Sequence, residues 1–234
     1  MGRPCRKWIL VVALTAWNFV FFGCDATKFV ATERFDFDPS KPKPRLHLDF
    51  GPSISLQTES KVSANFVDVA ADVGLRFTYH NDAAAGNLYL PEALGGGAAA
   101  FDYDLDGWCD LYFANGRSLP ALQLQLEHRD RLFRNVGGRY GESTDQAHLY
   151  EFDYSHGVAV GDLNVDGFED IMVANLGRPR VFLNQGDGSF QELLLDSLQI
   201  PSSFWVAPLL VDLDDDGLED LLLVSYVDWN YASE

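Results

Sequence analysis

Basic residues are scarce in this 234-residue chain: 17 Lys and Arg stand against 35 Asp and Glu, for a formal charge of -18. A surface so acidic repels a phosphate backbone, which argues against nucleic acid as a partner. Cysteine is scarcer still. Cys5, Cys24 and Cys109 are too few and too scattered for a disulfide framework or a C-x-x-C metal site. A membrane-length apolar helix is also missing. The run from Trp8 to Phe22 has fifteen residues and would rise only about 22 Å as a helix, against a hydrocarbon core of roughly 30 Å. Helical periodicity is weak outside the Leu-rich segment 119–126, so the crossover helices that a parallel α/β sheet needs are not supplied. No G-x-S-x-G nucleophile motif occurs, and none of His80, His128, His148 and His156 stands at metal-ligand spacing from another. The Gly95-Gly96-Gly97 run lacks the Lys-Ser/Thr of a phosphate cradle, so close backbone packing is its expected role.

What is present begins with an export signal over residues 1–23. Arg3, Arg6 and Lys7 precede the apolar run, which ends at Phe21-Phe22-Gly23-Cys24. A small residue directly before a cysteine resembles the bacterial lipobox, which implies lipidation at Cys24; Phe21 stands where that motif usually has leucine. Ordinary signal cleavage and an uncleaved short anchor are the alternatives, and all three place the mature chain outside the cytoplasm. Removing the signal takes away three positive charges, from -18 to -21. Residues 24–64, with Pro39, Pro42, Pro44 and Pro52, read as an extended linker.

From residue 65 to 234 the chain repeats itself. FDYDLDGWCDLYFANG from Phe101, GDLNVDGFEDIMVANLG from Gly161 and VDLDDDGLEDLLLVSYVD from Val211 align, their leading aspartates 60 and 50 residues apart. LFRNVGGRYGE and VFLNQGDGSFQE each read as a strand, a tight Gly turn and a returning strand, and the third repeat has no such hairpin after it. The runs Leu111 to Ala114, Ile171 to Ala174 and Leu221 to Val224 are continuously apolar, as in strands buried on both faces. The expected fold is all-β, of the β-propeller type, with two blades and the start of a third.

Each repeat carries D-x-[DN]-x-D-G-x-x-D. Calcium takes six to eight oxygens, and alternate carboxylates on a tight loop can converge on it. The expected side-chain ligands are Asp102, Asp104, Asp106 and Asp110; Asp162, Asn164, Asp166 and Asp170; and Asp212, Asp214, Asp216 and Asp220. Trp108, Phe168 and Leu218 would add backbone carbonyls at position seven. About three Ca2+ ions are therefore expected, with loop two weakest because Asn164 replaces a carboxylate. An EF-hand is excluded: position twelve, which needs a bidentate Glu, is Phe113, Val173 or Leu223. Acidic turns without an ion are the alternative, but three complete sets of crowded carboxylates repel unless a cation compensates.

These loops, with FVDVAADVGLRFTYHN from Phe66, LPEALGGGAAAFDYDLDGWCDLYFANG, RLFRNVGG and NQGDGSFQE, resemble the FG-GAP/VCBS repeat family and, within it, the ASPIC/UnbV-associated, cartilage acidic protein-like branch. The resemblance implies a propeller, usually of seven blades, with calcium structuring its loops and a role in extracellular adhesion or binding. This chain has fewer than three full blades, so a longer chain or an oligomer is expected to supply the rest. A non-catalytic module with a protein or carbohydrate ligand is the favoured function, and Trp205, Tyr226, Trp229 and Tyr231 are aromatic candidates for a platform or for packing. A propeller-scaffold enzyme, such as a polysaccharide lyase or hydrolase, is one rival, and a truncated fragment of a longer propeller protein is the other.

Overall fold

The computed structural model describes residues 8–13, 18–23, 66–81, 83, 89–119, 126–198, 200–213 and 215–227. Cys24, the linker 24–64, Asp214, Trp229 and Tyr231 lie outside the described residues, as does most of the Leu-rich segment.

Two four-stranded antiparallel units follow one another. The first contains β3 (Ala98–Phe101), β4 (Asp110–Phe113), β5 (Arg131–Val136) and β6 (Arg139–Glu142), paired in chain order. The second contains β7 (Tyr154–Gly161), β8 (Asp170–Gly177), β9 (Arg180–Asn184) and β10 (Phe190–Leu193). The third repeat contributes β11 (Ser203–Val211) and β12 (Asp220–Ser225). The start of β11 also meets the end of β8, pairing Ser203 with Gly177 and Phe204 with Leu176. This is the all-β, antiparallel repeat architecture that the sequence periods imply.

The hairpin turns follow from local chemistry. Val136 pairs with Arg139, so the β5–β6 loop has two residues, Gly137 and Gly138, at φ 62° and 85°. Two consecutive left-handed residues are what the tightest hairpins demand. In the β9–β10 turn Gly186 and Gly188 are left-handed, and Gln185 N–H donates to the Ser189 carbonyl.

The core explains the continuous apolar runs. In β8, Ile171 and Val173 pack with Phe101, Tyr112, Leu132 and Phe182 toward the first unit. The alternate residues Met172 and Ala174 pack with Val181, Trp205, Leu221 and Leu223 toward the third repeat. Successive strand side chains point to opposite faces, so a strand held between two neighbours needs an apolar residue at every position. All four residues from Ile171 to Ala174 are fully buried, whereas β4 and β12 alternate buried and half-buried. Gly97 and Gly157 let the inner strands approach: a Cβ would lie 2.7 Å from the His156 carbonyl oxygen at Gly97 and 2.3 Å from that of Val206 at Gly157.

The apolar run near the start forms two strands in this structure, β1 (Trp8–Ala13) and β2 (Asn18–Gly23), paired antiparallel. β1 lies parallel along β12, from Ile9 opposite Leu221 to Ala13 opposite Ser225. It lies on the side of β12 away from β11. No helix among the described residues is long and apolar enough to cross a membrane.

Candidate metal centre

Each Asp-rich loop joins the first two strands of a repeat and is curled by the same bonds. The position-one aspartate accepts from two backbone N–H groups. Asp106 and Gly107 donate to the two oxygens of Asp102 at 3.0 and 2.8 Å, Asp166 and Gly167 to Asp162 at 3.0 and 2.9 Å, and Asp216 and Gly217 to Asp212 at 3.1 and 2.8 Å. The position-five carboxylate then accepts from the N–H of position seven, from Trp108, Phe168 and Leu218 respectively. The glycine at position six is left-handed in all three loops. Position four is left-handed too, at Leu105 (54°), Val165 (62°) and Asp215 (58°), although no glycine marks it in the sequence.

In loop one the structure brings Asp102, Asp104 and Asp106 together, with one ligand atom from each inside a 4.8 Å span. Asp104 Oδ1 is buried there without a hydrogen-bond partner. An orphaned carboxylate oxygen beside two further carboxylates is costly unless something positive meets it. The donor set is all oxygen, as a hard cation such as calcium requires. In loop two the middle ligand is the neutral Asn164, whose Nδ2 donates to Asp166 Oδ2 at 2.8 Å while its Oδ1 accepts from the Asp166 N–H. Of loop three, Asp212, Asp216 and Asp220 are described, with Leu218 at position seven.

The position-nine aspartates occupy a different place from the first three. Asp110 and Asp170 are fully buried and join the loop to strands of their own repeat. Asp110 accepts from the N–H groups of Tyr103 (3.2 Å) and Asn135 (2.6 Å); Asp170 accepts from those of Leu163 (2.9 Å) and Asn184 (2.8 Å). Asp220 accepts from Leu213 N–H at 3.0 Å. Burial pushes Asp110 and Asp170 up to about 6, with those backbone bonds opposing it. Each oxygen keeps a second lone pair, so this strut does not use up its capacity as a donor to metal.

Two residue types at the centre were not assigned from sequence. Asn135 and Asn184 hold the same place in the two hairpins, and their amides reach the backbone carbonyls of Cys109 and Glu169. The shared Asn in LFRN and VFLN was the available signal. Arg134, directly before Asn135, sets Nε 2.5 Å from Asp104 Oδ2 and Nη2 3.1 Å from Asp106 Oδ2. Its counterpart in repeat two is Leu183.

Two of the four candidate histidines meet and the other two stand apart. His80 stacks on His128 with ring centroids 3.6 Å apart and planes 7° from parallel. The pair lies in a cleft of about 330 Å³ with Arg76, Glu127, Arg131 and Glu142. His148 is exposed. His156 is buried between the rings of Tyr154 and Phe204, and burial lowers it to about 4. Trp205 is a core residue, Tyr226 sits edge-on to Phe204, and Cys109 is an exposed free thiol.

A family model described as an FG-GAP-like repeat matches the chain twice, over residues 102–173 and 162–223. Each match opens on the first aspartate of one loop and closes in the strand after the next loop, so together they cover just over half of the chain. No curated protein matches it.

Proposed function

Starting from a chain that belongs to the FG-GAP-like repeat family, we propose that it is an exported, calcium-stabilised and non-catalytic binding module, related to the ASPIC/UnbV-associated branch. The observation that carries the calcium part is loop one: three converging carboxylates with Asp104 Oδ1 buried and unpartnered. Bound calcium would neutralise the carboxylates and tie positions one to nine together. Asp102, Asp104 and Asp106 ligate through side chains, Trp108 through its carbonyl and Asp110 through its remaining lone pairs, with the equivalent positions serving in loops two and three. The chain's own contribution is to pre-curl each loop through the backbone bonds to Asp102, Asp162 and Asp212, so that binding orders little further backbone.

Export rests on the basic and apolar character of residues 1–23, and anchoring to a bacterial envelope rests on Cys24. The partner is a protein or a carbohydrate, and further blades come from a longer chain or an oligomer. Calcium that binds only the folded state adds about 2.7 kcal/mol per site at a hundredfold excess over Kd. Thermal melts in calcium and in chelator are therefore expected to differ by several degrees, and Asp104→Asn is expected to reduce the difference. An unchanged midpoint removes the calcium reading.

A second reading draws on the His80–His128 stack, which sets two titratable rings in one cleft. Turnover of acidic polysaccharides, abolished by His128→Ala, would replace the non-catalytic reading with an enzyme on the same scaffold.

A further inference from the structure

Loop one holds a cation of its own. Arg134 comes from β5, the third strand of its unit, 28 residues beyond Asp106, and spans the outer oxygens of two neighbouring aspartates. Both carboxylates are partly shielded from water, with side-chain exposures of 13% for Asp104 and 26% for Asp106. The guanidinium itself is 42% exposed, so Asp104 is the better shielded end of the contact and solvent screens part of the attraction. Repeat two gives an internal control. The flanking residues match, Phe133 with Phe182 and Asn135 with Asn184, and both asparagines receive the position-nine aspartate in the same way. Between them Arg134 is replaced by Leu183, and in that loop Asn164 donates to Asp166 Oδ2 where loop one uses Arg134 on Asp106 Oδ2. Both loops thus satisfy the outer oxygen of position five, one with a positive charge and one with a neutral amide.

We infer that Arg134 is a built-in counter-ion that holds loop one closed at low calcium and sets a higher calcium threshold for it. The inference rests on the calcium reading above. Two effects act in the same direction. The guanidinium lowers the repulsion among Asp102, Asp104 and Asp106 in the metal-free loop, which stabilises the state that calcium must compete with. Beside Asp104 and Asp106 it would also lie close to an ion those carboxylates held, and like charges at short range disfavour each other. Ligand charge tunes the affinity of oxygen-based calcium sites. Here the net charge of loop one is set by a residue outside the loop.

The test uses the full chain and reads loop one locally. Trp108 stands at position seven of loop one and is 47% exposed, while loops two and three have Phe168 and Leu218 there. Its fluorescence, taken as the difference from Trp108→Phe, reports calcium binding to that loop. Arg134→Leu, which copies repeat two, is expected to tighten the Trp108 transition several-fold and to lower the melting midpoint in chelator. Arg134→Lys keeps the charge without the fork and is expected to fall between. Leu183→Arg, the reverse graft, is expected to weaken loop two, read as a loss of total calcium affinity by calorimetry. A Trp108 transition that loosens in Arg134→Leu would make Arg134 an orienting residue for Asp104 and overturn the inference while leaving the calcium reading intact. An unchanged affinity with an unchanged chelator midpoint overturns it equally. Absence of calcium binding in the wild-type chain, by fluorescence and calorimetry together, removes both readings at once.

Discussion

The first and second repeats have nearly the same loop backbone and balance their charges differently. Their curling bonds measure 3.0, 2.8 and 3.0 Å in loop one and 3.0, 2.9 and 2.9 Å in loop two. In both, a buried aspartate joins the loop to the third strand of the unit. Yet loop one has three leading carboxylates with an arginine across them, and loop two has two carboxylates with an asparagine between them. Backbone geometry is inherited with the repeat, while charge is tuned by single side chains that the backbone tolerates freely.

The largest effects come from breaking what the two repeats share. Asp110→Ala leaves two buried N–H groups without an acceptor and Asp170→Ala leaves one buried and one half-buried, at about 1 to 3 kcal/mol apiece. Denaturant unfolding should show losses of several kcal/mol in both variants and of similar size. A loss confined to one would show that the strut is not equivalent in the two repeats.

Acid stability tests a position at which they differ. Six residues before the first loop aspartate stand Gly96, His156 and Val206, so only the middle repeat has a titratable group there. Burial holds His156 neutral down to about 4, against an ordinary 6.5. The unfolded chain therefore binds a proton between pH 6.5 and 4 that the folded chain does not. The stability that depends on neutral His156 is complete above 6.5 and is lost as pH falls through that window, on the order of 3 kcal/mol in all. His156→Phe, which suits the space between Tyr154 and Phe204, is expected to remove this part of the slope, so that the stability difference between wild type and variant shrinks as pH falls through the window. An identical slope would show that His156 gains a proton without leaving its place.

The junctions between repeats allow a finer comparison. Gly157→Ala puts a methyl 2.3 Å from the Val206 carbonyl oxygen and Gly97→Ala one 2.7 Å from that of His156. Both are expected to destabilise by about 1 to 3 kcal/mol, with Gly157→Ala the worse by thermal melt. The smallest effect is Asn164→Asp, which gives loop two the acids of loop one without its arginine. Calorimetry should show its calcium affinity rising several-fold.

Much of this architecture was legible because it is local or periodic. Ile171 to Ala174 announced a strand buried on both faces, Gly137-Gly138 a two-residue hairpin, and the Asp spacing the curl of the loops. What escaped depends on contacts between distant parts of the chain. Arg134 reaches Asp106 across 28 residues, and His80 meets His128 across 48; neither pairing leaves a mark in a repeat pattern. The pairing of β1 with β12 likewise joins two segments some two hundred residues apart. Position nine was grouped with the other ligands because its residue type is the same; only burial and the Asn135 and Asn184 bonds separate it.

The left-handed residue at position four says something about the order in which each repeat assembles. Leu105 and Val165 hold a backbone conformation that costs an L-residue roughly 1 to 2 kcal/mol, and an isolated segment has no reason to adopt it. The curl becomes favourable only once its neighbours are paired and the buried aspartate has found its asparagine N–H. The loops are therefore expected to form after the strands they join, so that changes in them fall on the rate at which the repeats come apart and scarcely on the rate at which they form, which stopped-flow unfolding and refolding of loop variants would check. A cation received there acts as a clasp on a finished structure.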